Sequence, residues 1–472
     1  MAPQGAIREV SVGFRHALLV ACVLVGLGSG AAARACSSFA LSGPDEVWLA
    51  KNFDWHFDGG YLIKNPRAVS RRALPLFGGE PAVWTSVHGS LTFTQYGVGL
   101  PYGGINERGL AIEMLWLDET VYPSTAPRTI GELEWIQYQL DTRASVAEVL
   151  AGVEEFSIRP VGGKIHYMLA DASGDRALVE FIDGAARVHQ GVDSALVCTN
   201  DTHRLSELAF KKLRVARLEG NSSRVRYARL RRELDALGGP PSVERGLAAL
   251  ASVAERRGRY RTQWSAVYEI RRGRVHVRPA DAKRAFTIDV AALDYSAGSG
   301  TTCQDLFGKA PGDQGFRPLA ASFHRELLGR NLPKVGLNEQ MDEIAGHLLD
   351  PSTSTVRALD DRATLRVRVR ARTPGAFARI AAFSGPRELA AEKSAQAGSV
   401  LLDTAQREFA FYNLPRGRYV VGGFHDRNQD GRRNADEPLG YFRPDSTDAA
   451  SDFGHLAFEL EAPRRTVELV LE

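Results

Sequence analysis

Cys36 directly follows a segment that resembles a leader peptide. This junction limits the classes of protein to which the chain can belong. Residues 17–27 form an apolar run after a basic start, and Ala33 and Ala35 are small residues at the positions that signal peptidase reads. The run is shorter than the roughly 18 residues of a membrane helix, and no other segment approaches that length. The pattern predicts a signal peptide at 1–35, with Cys36 beginning a secreted or periplasmic chain that has no transmembrane segment.

The same junction has a second interpretation, in which Cys36 is lipidated and anchors the protein to a membrane surface. A lipoprotein signal normally has a larger aliphatic residue three places before the cysteine and a small uncharged residue two places before it. Ala33 and Arg34 occupy those positions. The sequence therefore favours cleavage without lipidation, and a lipid-anchored binding protein without catalysis is the alternative.

The composition is that of an ordinary globular protein, with 44% hydrophobic and 24% charged residues. A formal net charge of +3 is too small to indicate a nucleic-acid partner. After cleavage the chain retains Cys36, Cys198 and Cys303, so at least one thiol is unpaired, and whether Cys198 and Cys303 pair is open. No Cys-x-x-Cys spacing indicates zinc, and no cofactor is expected for catalysis.

Two regions of different character follow the leader. Across 36–350, strand-like runs bounded by Gly, Asp and Pro are joined by tight turns and accompanied by helical patterns, which predicts a layered α+β domain. One helical pattern, "TIGELEWIQYQLD", has Thr129 and Glu132 as an expected capping box. Beyond a linker-like stretch, "ATLRVRVRAR" alternates with period two, and 351–472 is predicted to form a smaller all-β sandwich.

Cleavage after Ala35 would place a thiol and an α-amino group on Cys36. Their ordinary pKa values are about 8.5 and about 7.7–8.0, so the free amine can accept the thiol proton near neutral pH. The runs "CSSFAL" and "VWLAKNFDW" are joined by "SGPDE", a turn by composition. A hairpin of that length predicts that Lys51 and Asp54 lie beside Cys36, where a carboxylate orients the amine and a cation favours the thiolate.

After Cys36 come "AKNFDW", "GGINERGLAIEMLWL", "CTNDTH", "SSRVRY" and "RTQWSAVYEI". In this order they resemble the choloylglycine hydrolase and penicillin V acylase family of N-terminal-nucleophile hydrolases, over residues 36 to about 305. The resemblance implies a four-layer αββα sandwich. It also implies cleavage of a linear, non-peptide N-acyl amide through a thioester acyl-enzyme. Penicillin V, an acyl-homoserine lactone and a conjugated bile acid stay open as substrates, and so does a homo-oligomeric state.

The resemblance also assigns roles to individual residues. Cys36 would supply both nucleophile and base, and Asp54 would anchor its α-amino group. The side-chain amide of Asn200 would donate to the oxyanion, with a second donor from the backbone N–H at about Trp116. Arg224 would lie beneath the nucleophile.

The sequence departs from the bile-salt enzymes at two of these positions. Lys51 stands where those enzymes have arginine, which keeps the charge but loses the planar fork. Trp116 stands where they often have Asn or Tyr, which makes the pocket wall larger and more apolar. Both departures put bile-salt specificity in doubt more than hydrolysis itself.

A second candidate site lies in the carboxy-terminal region, where "DRNQDGRRNADE" matches the calcium-loop pattern D-x-N-x-D-G-x5-E. Strand-like rather than helical sequence precedes the loop, and its arginines would weaken the affinity. An acidic surface turn without metal is the alternative. The expected Ca²⁺ ligands are Asp426, Asn428, Asp430, Arg432 and Glu437.

Overall fold

The computed structural model describes most of the chain from Cys36 onward. The described residues are 36–471 except 192–194, 214–217, 237–241, 309–311, 313–314, 339, 353–355, 372–375, 428–432, 435, 438 and 445–451. The expected signal peptide at 1–35 lies outside them.

The amino-terminal domain contains the strands β1 Ser37–Ser42, β2 Val47–Trp55, β3 Tyr61–Asn65, β4 Ser70–Arg72, β5 Glu80–Pro81, β6 Val83–Thr85, β7 Ser90–Thr94, β8 Gly103–Asn106, β9 Ala111–Trp116, β10 Arg128–Ile130, β11 Ser157–Ile158, β12 Ile165–Ala170, β13 Arg176–Ile182, β14 Ala185–Gln190, β15 Leu196–Cys198, β16 Arg261–Glu269, β17 Arg274–Pro279, β18 Phe286–Asp289, β19 Thr302–Asp305 and β20 Arg317–Pro318.

Helices surround these strands, and a smaller set of strands follows them. The helices of the amino-terminal domain are α1 Glu132–Thr142, α2 Val146–Ala151, α3 His203–Leu213, α4 Ser223–Asp235, α5 Val243–Ser252, α6 Ala321–Asn331 and α7 Met341–Leu349. The carboxy-terminal domain contains β21 Arg362–Ala371, β22 Phe377–Phe383, β23 Gln396–Leu401, β24 Gln406–Pro415, β25 Gly417–Asp426, β26 Leu439–Tyr441, β27 Phe458–Leu460 and β28 Arg464–Leu471, with the short helices α8 Pro386–Ala390 and α9 Phe453–Leu456.

Two sheets form the centre of the amino-terminal domain. One has the strand order β15-β1-β2-β16-β17-β18, and the other has the order β14-β13-β12-β9-β8-β7-β3-β19-β20. Helices α4 and α5 pack on the first sheet, and α1 packs on β8 and β9 of the second. The layers therefore follow the order helix, sheet, sheet, helix, which confirms the predicted αββα sandwich.

The predicted hairpin between β1 and β2 is present. The strands are antiparallel, with Ser37 opposite Asn52 and Ser38 opposite Lys51. The turn is closed by the Gly43 N–H, which donates to the Glu46 carbonyl at 2.9 Å. Strand β2 is buried along its whole length because β1 and β16 flank it in the sheet. This position brings the segment after the turn back to Cys36.

The start of α1 differs from the expected capping box. Gly131 is the N-cap residue, and its N–H donates to the Glu134 carboxylate at 2.9 Å. Glu132 instead accepts hydrogen bonds from the backbone N–H groups of Val161 and Gly163. The Glu132 carboxylate, which the sequence predicts as part of the capping box of α1, therefore binds the loop at residues 161–163. This loop lines a cavity described below.

The carboxy-terminal domain is the predicted all-β sandwich. One sheet has the order β24-β21-β28, and the other has the order β23-β22-β25-β26, with β27 on β25. Along β21, Leu365, Val367 and Val369 are fully buried, while the arginines between them lie on the other face. The period-two pattern therefore sets the buried face of this strand, as the sequence predicts.

The two domains share buried residues. Tyr412 of β24 belongs to the apolar core of the amino-terminal domain, and its hydroxyl accepts a hydrogen bond from the Tyr122 N–H at 2.9 Å. Leu359, in the connecting segment, belongs to the same core. Over the described part of the chain, no helix has the length and apolar character needed to cross a membrane.

Candidate functional site

The Cys36 thiol lies at the start of β1 and is almost fully buried. Its Sγ is 3.5 Å from the backbone N–H of Asp54, which donates to it, and 3.6 Å from the Asp54 carbonyl. Burial raises the pKa of the Cys36 thiol to about 11, and the positive charges of Lys51 and Arg226 act in the opposite direction. A thiol in this environment stays protonated at neutral pH unless a base is provided beside it.

Lys51 lies close to Cys36 on the hairpin, opposite Ser38, as the sequence predicts. Its positive charge is paired with a carboxylate of the second sheet. The Lys51 ammonium forms a buried ion pair with Glu113 of β9 at 3.0 Å, and it also donates to the Met114 carbonyl. Lys51 thus ties the two sheets together beside the nucleophile. Its charge still favours the thiolate of Cys36.

Asp54 carries the most unusual side chain of the site. It is fully buried, and within the residues that the structure describes neither carboxylate oxygen has a hydrogen-bond partner of normal geometry. Burial raises the pKa of Asp54 to about 7, although the nearby Thr262 hydroxyl and the Arg226 charge oppose the shift. A buried carboxylate without a partner is costly and calls for an explanation.

Asn200 and Trp116 lie next to each other, but they meet at the Trp116 carbonyl, and their predicted roles as oxyanion donors stay predictions. The Asn200 side-chain amide donates to the Trp116 carbonyl at 2.9 Å, and its backbone N–H donates to the Ser223 hydroxyl. The Trp116 indole N–H donates to Asp118 at 2.6 Å. Asn200 is therefore held in place through both its side chain and its backbone.

The arginine beside the nucleophile is Arg226, and the prediction for Arg224 is wrong in position. Arg226 is fully buried and donates to the Cys36 carbonyl, to the Ser37 hydroxyl at 2.7 Å and to the Asn200 side-chain oxygen at 2.8 Å. Arg224, two residues earlier on α4, lies 3.9 Å from Asp201 and stacks over the Phe377 ring. Two residues correspond to more than half a helical turn, so the two side chains leave α4 in different directions.

A cavity of about 280 Å³ opens beside this group of residues. Its lining includes Trp55, Tyr102, Met114, Trp116 and Tyr260, and it also includes the loop held by Glu132. Trp116 joins the cavity to Asn200. The described lining does not include Cys36 or Asn200, and the recess adjoins them through Trp116, which contacts Asn200, and Trp55, the residue after Asp54.

Comparisons with known proteins agree with this geometry. The family model of linear amide C–N hydrolases, choloylglycine hydrolase family, matches residues 36–212. The matched segment of the amino-terminal domain is thus similar to the choloylglycine hydrolase family. A curated penicillin V acylase from Pectobacterium atrosepticum is 31% identical over 201 residues, which cover 38% of this chain and 53% of that protein. The chain thus spans about half the length of this curated relative.

Solved structures extend the likeness beyond the sequence match. The penicillin V acylase from Agrobacterium tumefaciens has a TM-score of 0.53 and 27% identity, over 60% of this chain and 98% of that one. A variant of the conjugated bile acid hydrolase from Clostridium perfringens has a TM-score of 0.50 and 14% identity, over 59% and 98% of the two chains. The second likeness, at this identity, concerns the fold alone.

The amino-terminal domain contains a further buried group, which supports Asn200. The His166 Nε2 atom is 2.9 Å from the Thr199 carbonyl and 3.3 Å from the Cys198 Sγ. Burial alone would raise the pKa of Glu180, but hydrogen bonds from His166 and His189 outweigh it and lower the pKa to about 2. This group holds the peptide that precedes Asn200. Cys198 is a free buried thiol, as is Cys303.

The expected calcium loop lies in the carboxy-terminal domain, and the structure describes only its two ends. Three of the expected ligands, Asn428, Asp430 and Arg432, lie outside the described residues. Asp426, at the first loop position, is buried and accepts a hydrogen bond from the Arg379 guanidinium at 2.9 Å.

Glu437, at the last loop position, accepts hydrogen bonds from the backbone N–H groups of Arg427 and Asn434. Among the described residues, no cluster of three or more His, Cys, Asp or Glu side chains is arranged to hold a metal. Ca²⁺ binding at this loop stays a prediction. Bound Ca²⁺ would have to compete with the present partners of Asp426 and Glu437.

Proposed function

We propose that the protein is an exported N-terminal-cysteine amidohydrolase, in which removal of residues 1–35 frees the α-amino group of Cys36. The observation that carries this proposal is the buried Asp54 carboxylate, which has no hydrogen-bond partner of normal geometry in the described chain and belongs to the residue whose backbone N–H contacts the buried thiol. The freed amine, in its neutral form, would give the thiol a base, which its raised pKa requires. The ammonium group formed by this proton transfer would then give Asp54 a partner of opposite charge.

The proposed reaction begins when the α-amino group of Cys36 takes the thiol proton. The sulfur then attacks the carbonyl carbon of the amide, and the negative charge that develops on the carbonyl oxygen is stabilised by the Asn200 amide. The proton passes to the leaving nitrogen, the C–N bond breaks and the product amine departs. Water, deprotonated by the same α-amino group, then hydrolyses the thioester on Cys36 and restores the thiol.

Replacement of Asn200 tests the oxyanion role. One hydrogen of its NH₂ group binds the Trp116 carbonyl, and the second can serve the oxyanion. Because loss of one such donor costs about 2.7–4 kcal/mol, we expect Asn200→Ala to lower kcat by about 10²–10³. The melting temperature should fall moderately, because the buried Arg226 guanidinium loses the Asn200 oxygen as an acceptor. Steady-state kinetics and thermal unfolding measure both quantities, and a near-normal kcat would remove Asn200 from the site.

The cavity supports a compact apolar acyl group as the recognised part of the substrate. Its volume of about 280 Å³ lies at the small end of ligand sites, which usually measure about 300–1,000 Å³. The aromatic rings of Trp55, Tyr102 and Tyr260 in its lining suit an aryl or short aliphatic group. Among the open substrates, this favours penicillin V and short acyl-homoserine lactones over a conjugated bile acid.

An acylase panel tests the function directly. The mature protein and its Cys36→Ala variant would be assayed with penicillin V, acyl-homoserine lactones of increasing chain length and a conjugated bile acid, by release of the free amine. We expect amine release by the wild type alone. Equal activity in both proteins would exclude the mechanism, and inactivity of the wild type on every substrate would argue against this substrate class.

Intact-mass measurement of the exported protein separates the enzyme from the lipid-anchored binding protein. An unmodified Cys36 at the amino terminus supports the enzyme, and a diacylglyceryl adduct supports the anchor. The burial of the thiol and the contact between Arg226 and the Cys36 carbonyl favour the enzyme, since a lipidated cysteine has to reach the surface.

A further inference from the structure

A second cavity, of about 540 Å³, lies between the amino-terminal domain and the β-sandwich. Its lining, as far as the structure describes it, contains five arginines but only one carboxylate, that of Asp360. These side chains give a net formal charge of +4, whereas the entire chain has a net charge of only +3. Positive charge is therefore concentrated in this cavity. The arginines are Arg159, Arg362, Arg366, Arg416 and Arg464.

The fold brings these arginines together from both domains. Arg362 and Arg366 are four residues apart on β21 and therefore point to the same side of the sheet. Arg464 lies on the neighbouring strand β28, opposite Thr364. Arg416 follows the last residue of β24, which pairs with Arg362. Arg159 comes from the amino-terminal domain, directly after β11.

Acidic groups balance only part of this charge, and one of them is Asp361, whose carboxylate lies 3.5 Å from Arg362. Arg366 pairs with Glu408 at 3.3 Å and donates to the Ser124 hydroxyl, while Arg464 donates to the Ser124 carbonyl at 3.3 Å. In the described chain, no carboxylate forms an ion pair with Arg159, Arg416 or Arg464. Burial lowers the pKa of Arg464. Several guanidinium groups at one partly enclosed site repel one another unless an anion lies between them.

We propose that this cavity binds a compact multivalent oxyanion of the phosphate class, which bridges the two domains. Guanidinium groups bind phosphate oxygens through paired N–H donors. The arginines approach from two strands of the sandwich, from the end of a third and from the opposite domain. A tetrahedral dianion offers acceptor oxygens in all of these directions. The site is separate from the proposed amidohydrolase site and does not depend on it.

Ligand-induced stabilisation of the full chain tests the proposal. The melting temperature and the heat of binding would be measured with inorganic phosphate, with glycerophosphate and with chloride at equal ionic strength. We expect saturable stabilisation by phosphate, following the logarithmic dependence on ligand concentration for binding to the native state. Stabilisation by phosphate alone indicates a free ion. Equal stabilisation by glycerophosphate indicates the phosphate group of a larger molecule.

Two variants locate the binding in the cavity. Arg464→Gln and Arg159→Gln lie in different domains, and each is expected to weaken phosphate binding about tenfold or more through loss of charge-assisted hydrogen bonds. Arg370→Gln is the matched control, because Arg370 lies on β21 but outside the cavity lining, paired with Glu468. The proposal is overturned if phosphate fails to stabilise the wild type, if chloride stabilises it equally, or if all three variants bind phosphate as the wild type does.

Discussion

We expect the removal of residues 1–35 to change the stability of the fold through the buried carboxylate of Asp54. Its folded-state pKa of about 7 exceeds the ordinary value of 3.8, so the folded chain favours the protonated acid. Ionisation therefore destabilises the fold progressively as the pH rises from about 4 to about 7, and the full cost is present above that range. A positive α-amino group beside Asp54 would remove the cost by lowering this pKa.

This linkage predicts opposite effects of Asp54→Asn in the two forms of the chain. In a chain that keeps residue 35, we expect the substitution to raise the melting temperature at pH 8, with an advantage that shrinks toward pH 4. In the processed chain, we expect it to lower the melting temperature at pH 8, because the α-amino group loses its charged partner. Thermal unfolding across pH measures both effects. The same pH dependence in both forms would contradict the pairing.

Arg226 and Arg224 form a natural test pair on one helix. Arg226→Lys keeps the charge but loses the fork that holds the Cys36 carbonyl and the Asn200 side chain together. Because displaced reacting groups slow catalysis steeply, we expect kcat to fall about 10–100-fold with little change in KM. Arg224→Gln should keep nearly full activity. A larger loss of kcat in Arg224→Gln than in Arg226→Lys would reverse the assignment.

The sequence predicts Arg224 beside the nucleophile, whereas Arg226 occupies that place in the structure. Both stand in "SSRVRY", and the sequence alone does not reveal which of them faces the nucleophile. The aromatic Tyr227 directly after Arg226 is the available signal, since large aromatic side chains pack into the core, and Tyr227 is fully buried. The contacts of Cys36, Lys51 and Asp54 are predictable because one short turn fixes the register of their hairpin.

At the scale of elements, strands are easier to predict from this sequence than arginine-rich helices. Helix α4 has only a few apolar residues among many arginines, so its sequence lacks a clear apolar stripe. Its helical state depends instead on the N-cap Ser222 and on burial of Tyr227 and Leu230 against the first sheet. Such burial depends on distant segments and cannot be read from local periodicity.

The calcium loop gives the prediction at this scale. Since Ca²⁺ would compete with Arg379 for the Asp426 carboxylate, we expect weak binding, with a Kd of about 10⁻⁴–10⁻³ M. Arg379→Gln removes the competing cation and should tighten binding, whereas Glu437→Gln should abolish it. Calorimetric titration of the full chain with Ca²⁺ measures all three affinities. The absence of a binding heat in both the wild type and Arg379→Gln would leave the loop as a metal-free turn.

At the scale of the whole molecule, composition locates the change from one domain to the next but does not reveal how the domains meet. The linker-like stretch near residue 351 precedes β21, which begins at Arg362. The contacts between the domains depend on residues far apart in the chain, such as Asp183, which accepts hydrogen bonds from Arg407 and from the Glu408 N–H. Neither partner carries a local pattern that predicts the other, so an accessory domain predicted from composition is in fact tightly docked.

This docking predicts that the two domains unfold together. The Tyr412 hydroxyl accepts the Tyr122 N–H across the interface, and Tyr412→Phe would leave that buried donor without a partner, at a cost of about 1–3 kcal/mol. In differential scanning calorimetry we expect a single transition for the wild type. In the variant it should shift down as a whole, by about 1 °C for each kcal/mol, because the unfolding entropy of both domains together is large. Tyr419→Phe is the control, because the Tyr419 hydroxyl bonds to Pro415 within the sandwich. If the domains were independent, the wild type would show two transitions, and Tyr419→Phe would shift only the one that belongs to the sandwich.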